Sequence, residues 1–181
     1  MSATLRTANS AEALRSAFDS ERALPFAARG VEQSENLITI RVAGDPYAIR
    51  TSEISGLVAD RKIVAFPSPT SELLGIAAFR GVLLPVYSLA ALLGYAAETE
   101  QTRWLALCGS EEPLALAFSG FEGYVHVSLD QIHAAEQTGA MQRTVRHVVR
   151  GVDMVRAVIS IPLIREAIQK RCDKNGVSKE R

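Results

Sequence analysis

The sequence predicts a mainly β protein of two small barrels packed together, with short helices at the margins and a helix near the N-terminus. Two apolar hairpins, at residues 37–50 and 104–118, each consist of an apolar strand, a turn bounded by Gly and Pro, and an apolar return. They begin about 67 residues apart, which is too long a period for a solenoid repeat. This internal echo indicates two similar lobes, one from each half of the chain.

The first hairpin is predicted from the alternation of apolar and polar residues over 37–42, followed by a turn at Gly44. Further along, the apolar run 83–87 has the composition of a buried strand. Ser88 then has the chemistry of a helix N-cap, and Gly94 that of a C-terminal stop, so a short helix is expected over 89–93. This apolar strand and short helix follow the first hairpin, and a loosely similar strand and helix are predicted after the second hairpin.

The two ends of the chain differ in character from residues 36–170, which form the predicted domain. Residues 1–35 are rich in Ala, Ser, Glu and Arg, and apolar residues recur at helical spacing over about 10–24. One interpretation is that this amphipathic helix packs on the domain or frays in solvent, and the other is that it docks on a partner; the first is preferred. Residues 171–181 are polar and are expected to form a tail.

The composition argues against several classes of protein. The 20 basic and 20 acidic residues cancel, so the basic excess of a nucleic-acid-binding protein is absent. No secretory signal opens the chain, and Cys108 and Cys172 have no metal-ligand spacing, so we expect a cytoplasmic protein. The uncharged stretch 81–97 is interrupted by Pro85 and Gly94, which favours a strand and a short helix over insertion into a membrane.

The neutral total conceals two charged stretches. Residues 98–140 carry a net charge of −6, and residues 141–181 carry +6. The two stretches either face each other or water, or they form a pair of complementary docking surfaces. The sequence alone leaves both interpretations open.

The sequence contains no recognisable catalytic, metal or cofactor constellation. Its three His residues lack the spacing of a zinc site, and no nucleophile elbow is present. His126 alternates with valines, which is typical of an exposed strand residue. Glu111 and Glu112 fall in a predicted turn, and Gly120–Gly123 lacks the spacing of a phosphate loop and is expected to be a turn or bulge.

Arg80 stands in one of the most apolar parts of the chain, between the runs 73–79 and 81–86. An Arg-Gly pair between two strands is often a turn. An Arg among apolar neighbours is also a common interface anchor, because its planar fork pairs with carboxylates and its weak hydration lowers the cost of burial.

Around Arg80 the sequence resembles the CheW-like chemotaxis coupling proteins. The segment Gly-Ile-Ala-Ala-Phe-Arg-Gly-Val-Leu-Leu-Pro-Val-Tyr-Ser-Leu at 75–89 is similar to the family's G-V-x-N-L-R-G-x-x-L-P-V-x-D-L. Blocks similar to the family's opening hairpin, proline-bearing linker and closing Gly, strand and helix occur in the same order, over about residues 36–170. Ala78 and Ser88 depart from the family's usual Asn and Asp.

The resemblance implies two five-stranded, SH3-like barrels related by pseudo-twofold symmetry. It implies a non-catalytic adaptor without cofactors, which joins the cytoplasmic tip of methyl-accepting chemoreceptors to the regulatory domain of a CheA-type histidine kinase. An apolar groove between the lobes would receive the receptor, with Ile54, Gly75 and Arg80 at or near that site. The kinase would meet exposed barrel surface, chiefly in the second lobe.

Two other functions are kept as alternatives. A CheW-like scaffold could serve a pilus, developmental or second-messenger pathway instead of chemotaxis. A small-molecule enzyme on a twin-barrel scaffold is the more distant alternative, because a fold does not fix a function.

Overall fold

The computed structural model of the chain describes residues 33–68, 70–96, 102–109, 112–135, 144–151 and 154–177. The leader helix predicted over residues 10–24 lies outside these ranges. The described elements are mostly strands, as the sequence predicts. In chain order the strands are β1 (Ser34–Val42), β2 (Asp45–Arg50), β3 (Gly56–Ala59), β4 (Leu73–Phe79), β5 (Val82–Ser88), β6 (Trp104–Cys108), β7 (Leu114–Phe118), β8 (Gly120–Ser128), β9 (Ile132–Ala134), β10 (Val145–Gly151) and β11 (Met154–Ile159).

Within the described ranges, two α-helices accompany the strands, α1 (Leu89–Leu93) and α2 (Ile161–Val177). Helix α1 has the predicted bounds, and its caps are the predicted ones. The Ser88 hydroxyl accepts the Ala91 N–H at 3.2 Å, and Gly94 ends the helix in the left-handed conformation with φ of 91°. Helix α2 extends to Val177, so it occupies most of the stretch that was expected to be a polar tail.

The strands form two sheets that follow one plan. Sheet A has the order β8-β1-β2-β11-β10-β9, and sheet B has the order β3-β6-β7-β5-β4. In each sheet a central hairpin, β1–β2 or β6–β7, is flanked by a single strand on one side and by another hairpin on the other. The join to that second hairpin is parallel in both cases, between β2 and β11 and between β7 and β5. The pseudo-symmetry expected from the internal echo is therefore visible in the strand order, with β9 as a sixth strand in sheet A.

The assignment of one lobe to each half of the chain is wrong. The first hairpin, β1–β2, lies in sheet A among strands from the second half, and the second hairpin, β6–β7, lies in sheet B among strands from the first half. The two halves exchange their hairpins. Periodicity reveals a strand but not its neighbours, so the sequence pattern could not show this exchange.

The central strands bury side chains on both faces. Every residue of β7 is buried, and in β6 the alternate residues belong to different clusters, Leu105 and Leu107 inside sheet B and Ala106 and Cys108 between the sheets. The cluster between the sheets also takes Ile164 from α2. Both sheets belong to one compact unit that begins at Ser34.

Helix α2 is tied to sheet A by a distant acidic side chain. The Glu53 carboxylate accepts the N–H of Ile161, the first residue of the helix, at 2.6 Å. Glu53 follows β2 in a 3₁₀ turn and lies 3.6 Å from the Arg50 guanidinium. A negative group at a helix N-terminus satisfies a free donor and matches the helix dipole.

Candidate functional site

Arg80 lies at the tip of the β4–β5 hairpin. Phe79 and Val82 form the last strand pair, so Arg80 and Gly81 make a two-residue turn. Their φ angles of 48° and 83° are both positive, which defines the type I′ turn that matches the twist of the flanking strands. The Arg80 side chain is exposed, and its guanidinium carbon lies 5.1 Å from the centre of the Phe79 ring.

Gly75 lies on the same hairpin but contributes through its backbone. It is buried in β4, with φ of 147°, beside a break in the strand register. A Cβ atom at this position would come within 2.1 Å of the Val64 carbonyl oxygen. The bare α-carbon allows the segment around Val64 to approach β4, where Val64 and Ile76 exchange backbone hydrogen bonds of 2.8 and 2.9 Å. Gly75 therefore shapes the surface near Arg80.

Ile54 lies on a different element. It follows the 3₁₀ turn Thr51–Glu53 with extended backbone, and its side chain is half-buried against the cluster between the sheets. The structure thus places two of the three predicted site residues, Gly75 and Arg80, on one hairpin. Ile54 is held by the central core.

The outward face of the β4–β5 hairpin is apolar. Strand partners share a face, so Ala78 lies beside Leu83, and Ile76 beside Pro85. Ala77 and Leu84, one residue along each strand, point inward and are buried. Val64 extends the outward face, because it pairs with Ile76. We call this set the hairpin face; its members are Val64, Ile76, Ala78, Leu83 and Pro85.

The hairpin face is unusually exposed for its composition. The exposed fraction is 70% for Leu83 and 59% for Val64, and nearby Phe66 and Val82 are 56% and 50% exposed. The apolar run 83–87 predicts a buried strand, and this prediction is wrong for Leu83. An unbroken apolar run cannot reveal which alternate residues point outward, and Val64 and Phe66 carried no signal except their place in an apolar segment.

Basic residues border this surface. Arg61 and Lys62 precede Val64 in sequence and are exposed, as is Arg80. Within the described ranges, no carboxylate forms an ion pair with any of the three. The hairpin tip therefore combines exposed apolar side chains with positive charge that the described fold leaves uncompensated.

The acidic and basic stretches meet inside the domain. Glu122 pairs with Arg156 at 2.6 Å, and Glu112 approaches Arg165 at 3.6 Å. Each pair joins the acidic stretch to the basic one, which favours the interpretation that they face each other. Glu122 lies at the register break opposite β1, between the paired residues Phe121 and Gly123, as expected for a bulge in Gly120–Gly123. His126 is exposed on β8, as predicted.

A small cavity lies where α2 meets β5 and the start of β4. Its volume of about 10 Å³ leaves room for roughly one water molecule. Burial raises the pKa of the Tyr87 hydroxyl in its lining. In the part of the chain that the structure describes, no group of three His, Cys, Asp or Glu residues could hold a metal ion. No described helix has the length and apolar character needed to cross a membrane.

Comparison with known proteins identifies the family. The family model described as "CheW-like domain" matches residues 36–164. No curated protein sequence matches the chain. Fifteen chains of solved structures match it, among them the scaffolding protein TtCheW from Thermoanaerobacter tengcongensis. That structure is similar with a TM-score of 0.65 and 15% identity, over 71% of this chain and 90% of TtCheW. The order of the blocks, the paired sheets and the family match agree: the chain belongs to the CheW-like domain family.

Proposed function

We propose that this protein is a cytoplasmic, non-catalytic adaptor that couples chemoreceptors to the regulatory domain of a CheA-type histidine kinase. The observation that carries the proposal is the β4–β5 hairpin tip, where Arg80 is exposed beside an exposed apolar face. Such a surface suits a transient interface, in which an apolar contact supplies affinity and an Arg supplies a charge-assisted anchor. Membership of a scaffold family supports the same conclusion.

In this proposal the three site residues have different roles. Arg80 would contact the receptor directly through its guanidinium. Gly75 would position the contact surface by admitting the Val64 segment, and Ile54 would support it from the central core. Only Arg80 among them presents an exposed side chain.

The first test is co-purification of the tagged chain from extract of its own organism, followed by identification of the bound proteins. We expect a receptor and a histidine kinase in the eluate. If a kinase is recovered with receptors of a pathway other than chemotaxis, the adaptor role stands and the pathway that it serves is a different one. An eluate with neither protein would contradict the proposal.

The second test is Arg80→Asp, measured by receptor binding and by thermal unfolding. Binding should fall at least tenfold, because a repelling charge replaces the anchor. The melting temperature should stay near that of the wild type, since Arg80 is exposed and Asp tolerates positive φ. The control is Arg150→Asp on the β10–β11 hairpin, where the same charge change at an exposed Arg should leave receptor binding intact.

A further inference from the structure

One carboxylate in sheet A is shared by two guanidinium groups. Glu122, at the bulge in β8, accepts a hydrogen bond from Arg41 Nε through Oε1, and its Oε2 lies near Arg156 Nη2; both distances are 2.6 Å. Arg41 is held further by its Nη1, which donates to the Gly44 carbonyl at 2.7 Å. We call Arg41, Glu122 and Arg156 the two-arginine cluster. One acid faces two bases, so the cluster carries one positive charge in excess.

The strand register brings these side chains to one end of sheet A. Arg41 pairs with Pro46 beside the β1–β2 turn, and Arg156 precedes Ala157, which pairs with Tyr47. Because alternate residues of a strand share a face, Arg156 lies on the same face as Val158. Val158 belongs to a buried apolar cluster made only of sheet A residues: Leu37, Ala48, Val127, Val149 and Val158. Arg156 therefore stands at the border of this apolar interior.

Arg156 has hydrogen-bond donors that the described residues do not use. Its side chain is 16% exposed, and its Nε and Nη1 atoms are buried with no hydrogen-bond partner in the part of the chain that the structure describes. A guanidinium has only donors, and a buried donor left unpaired costs free energy that folded proteins ordinarily avoid. Unpaired donors and an excess of positive charge therefore coincide at one position, which suits a further anion.

Charge and donor geometry indicate the class of that anion. A single negative charge balances the two-arginine cluster, whereas a phosphate group brings about two charges and would leave a negative excess beside Glu122. The planar guanidinium also matches the two oxygens of a carboxylate. The apolar interior next to Arg156 favours a short hydrocarbon chain over a second polar group.

We propose that the two-arginine cluster binds a small monocarboxylate, of the size of acetate or propionate, with its oxygens on Arg156 and its hydrocarbon end towards Val158. A free ion suits this position better than a side chain of a partner protein, because the unpaired donors are buried. Arg41, whose side chain is 51% exposed, borders the site on the solvent side. The site is in sheet A and the hairpin face is in sheet B, so this inference does not depend on the proposed adaptor function.

The direct test follows the Arg156 Nε–H signal by nitrogen NMR while sodium acetate replaces sodium chloride at constant ionic strength and neutral pH. The signal should shift and saturate with a Kd of about 1 mM, which is within reach of so small a ligand. Acetate should also raise the melting temperature of the full chain. No shift at about a hundredfold excess over that Kd would overturn the inference and show that water alone pairs with these donors.

Substitutions of Arg156 test the role of its guanidinium through the rise in melting temperature that acetate causes. Arg156→Lys keeps the charge without the planar fork and should weaken acetate binding at least tenfold. Arg156→Leu should abolish binding without lowering the free energy of unfolding, because an apolar side chain replaces a buried group with unpaired donors.

The matched control is Arg103→Leu. Arg103 is an exposed Arg whose Nε and Nη2 already donate to the Asp60 carboxylate at 2.9 and 3.1 Å. Its substitution should change the affinity for acetate less than twofold. An equal loss for Arg103→Leu, or unchanged binding by both Arg156 variants, would overturn the assignment of the site to Arg156.

Glu122→Gln tests the charge balance. Without the acid, both guanidiniums lack a counter-charge, so acetate should bind about tenfold more tightly and inorganic phosphate should bind as well. The wild type should bind phosphate at least tenfold more weakly than acetate. Phosphate binding as tight as that of acetate in the wild type, or no gain from Glu122→Gln, would overturn the inference and leave the adaptor function standing.

Discussion

Sheets A and B share one strand plan and differ in what their outer hairpins expose. In sheet B the β4–β5 hairpin presents Leu83 beside Ala78, whereas in sheet A the corresponding β10–β11 hairpin presents Val155 opposite the exposed Arg150. One position pair is apolar, and the other mixes an apolar and a charged side chain. The shared backbone plan therefore fixes where a surface occurs, and the local side chains decide which partner that surface suits.

The largest expected effect on stability comes from replacing a glycine in sheet B, compared with a glycine in sheet A. Gly75→Ala in β4 should lower the free energy of unfolding by about 3 kcal/mol, because its Cβ would meet the Val64 carbonyl and the backbone has positive φ. Urea unfolding measures the change. Gly123→Ala in β8 is the control and should cost little, since nothing lies within 4 Å of its added Cβ. Equal losses in the free energy of unfolding for the two variants would show that the segment around Val64 can move away from β4 at little cost.

The next effect concerns how each sheet holds its helix. Glu53→Ala removes the carboxylate that accepts the Ile161 N–H at the start of α2, and should lower the free energy of unfolding by about 2 kcal/mol. Glu53→Gln keeps an acceptor and should lose less. The measurement is again urea unfolding, and a Gln variant as unstable as the Ala variant would assign the effect to the Arg50 ion pair instead.

Removing the N-cap of α1, the helix that follows β5 of sheet B, should lower the free energy of unfolding by less. Ser88→Ala removes a local N-cap of the short helix α1 and should cost about 1 kcal/mol. Ser88→Thr retains the hydroxyl and should recover most of that loss. Urea unfolding measures both losses. If Ser88→Ala lowered the free energy of unfolding as much as Glu53→Ala does, the expectation that the cap from a distant segment contributes more than the local cap would be wrong.

The smallest expected effect concerns the reactivity of the two cysteine thiols. Burial raises the pKa of the Cys108 thiol in β6 to about 12, while Cys172 on α2 is exposed. At pH 8 the native chain should therefore react with a thiol reagent at one site, and Cys172→Ser should remove that reaction.

The buried Cys108 thiol also makes the free energy of unfolding depend on pH. Its contribution to stability is complete below about pH 9 and is lost as pH rises towards 12, because the thiol then ionises freely only in the unfolded chain. Rapid labelling of Cys108 at pH 8 would contradict its burial.

Local features of the fold could be predicted from sequence. Ser88 and Gly94 bound α1 as expected, because capping depends on a few adjacent residues. The hairpin at Gly44 and the strands Trp104–Cys108 and Leu114–Phe118 follow from apolar runs and turn residues. The exchange of hairpins between sheets depends on contacts far apart in sequence and could not be predicted.

The candidate site was predicted in part. The sequence located Arg80 through its apolar neighbours, and the structure adds that it stands on a type I′ turn with an exposed face below it. The contribution of Val64 could not be predicted, because it depends on a bridge to Ile76 that Gly75 permits. Ile54 lies apart from the hairpin, and its role stays a prediction.

The exchange of hairpins also affects the order in which the sheets can form during synthesis. Sheet B is complete once β7 ends at Phe118, but sheet A must wait for β11, which ends at Ile159. At translation rates of about 5–20 residues per second, the β1–β2 hairpin would wait roughly 5–20 s for the strand that joins it in parallel. Strand β8, which ends at Ser128, can pair with β1 before then, so it is the β2 edge of the hairpin that stays unpaired on the nascent chain until β11 is made. That open strand edge is a surface that chaperones can bind during synthesis.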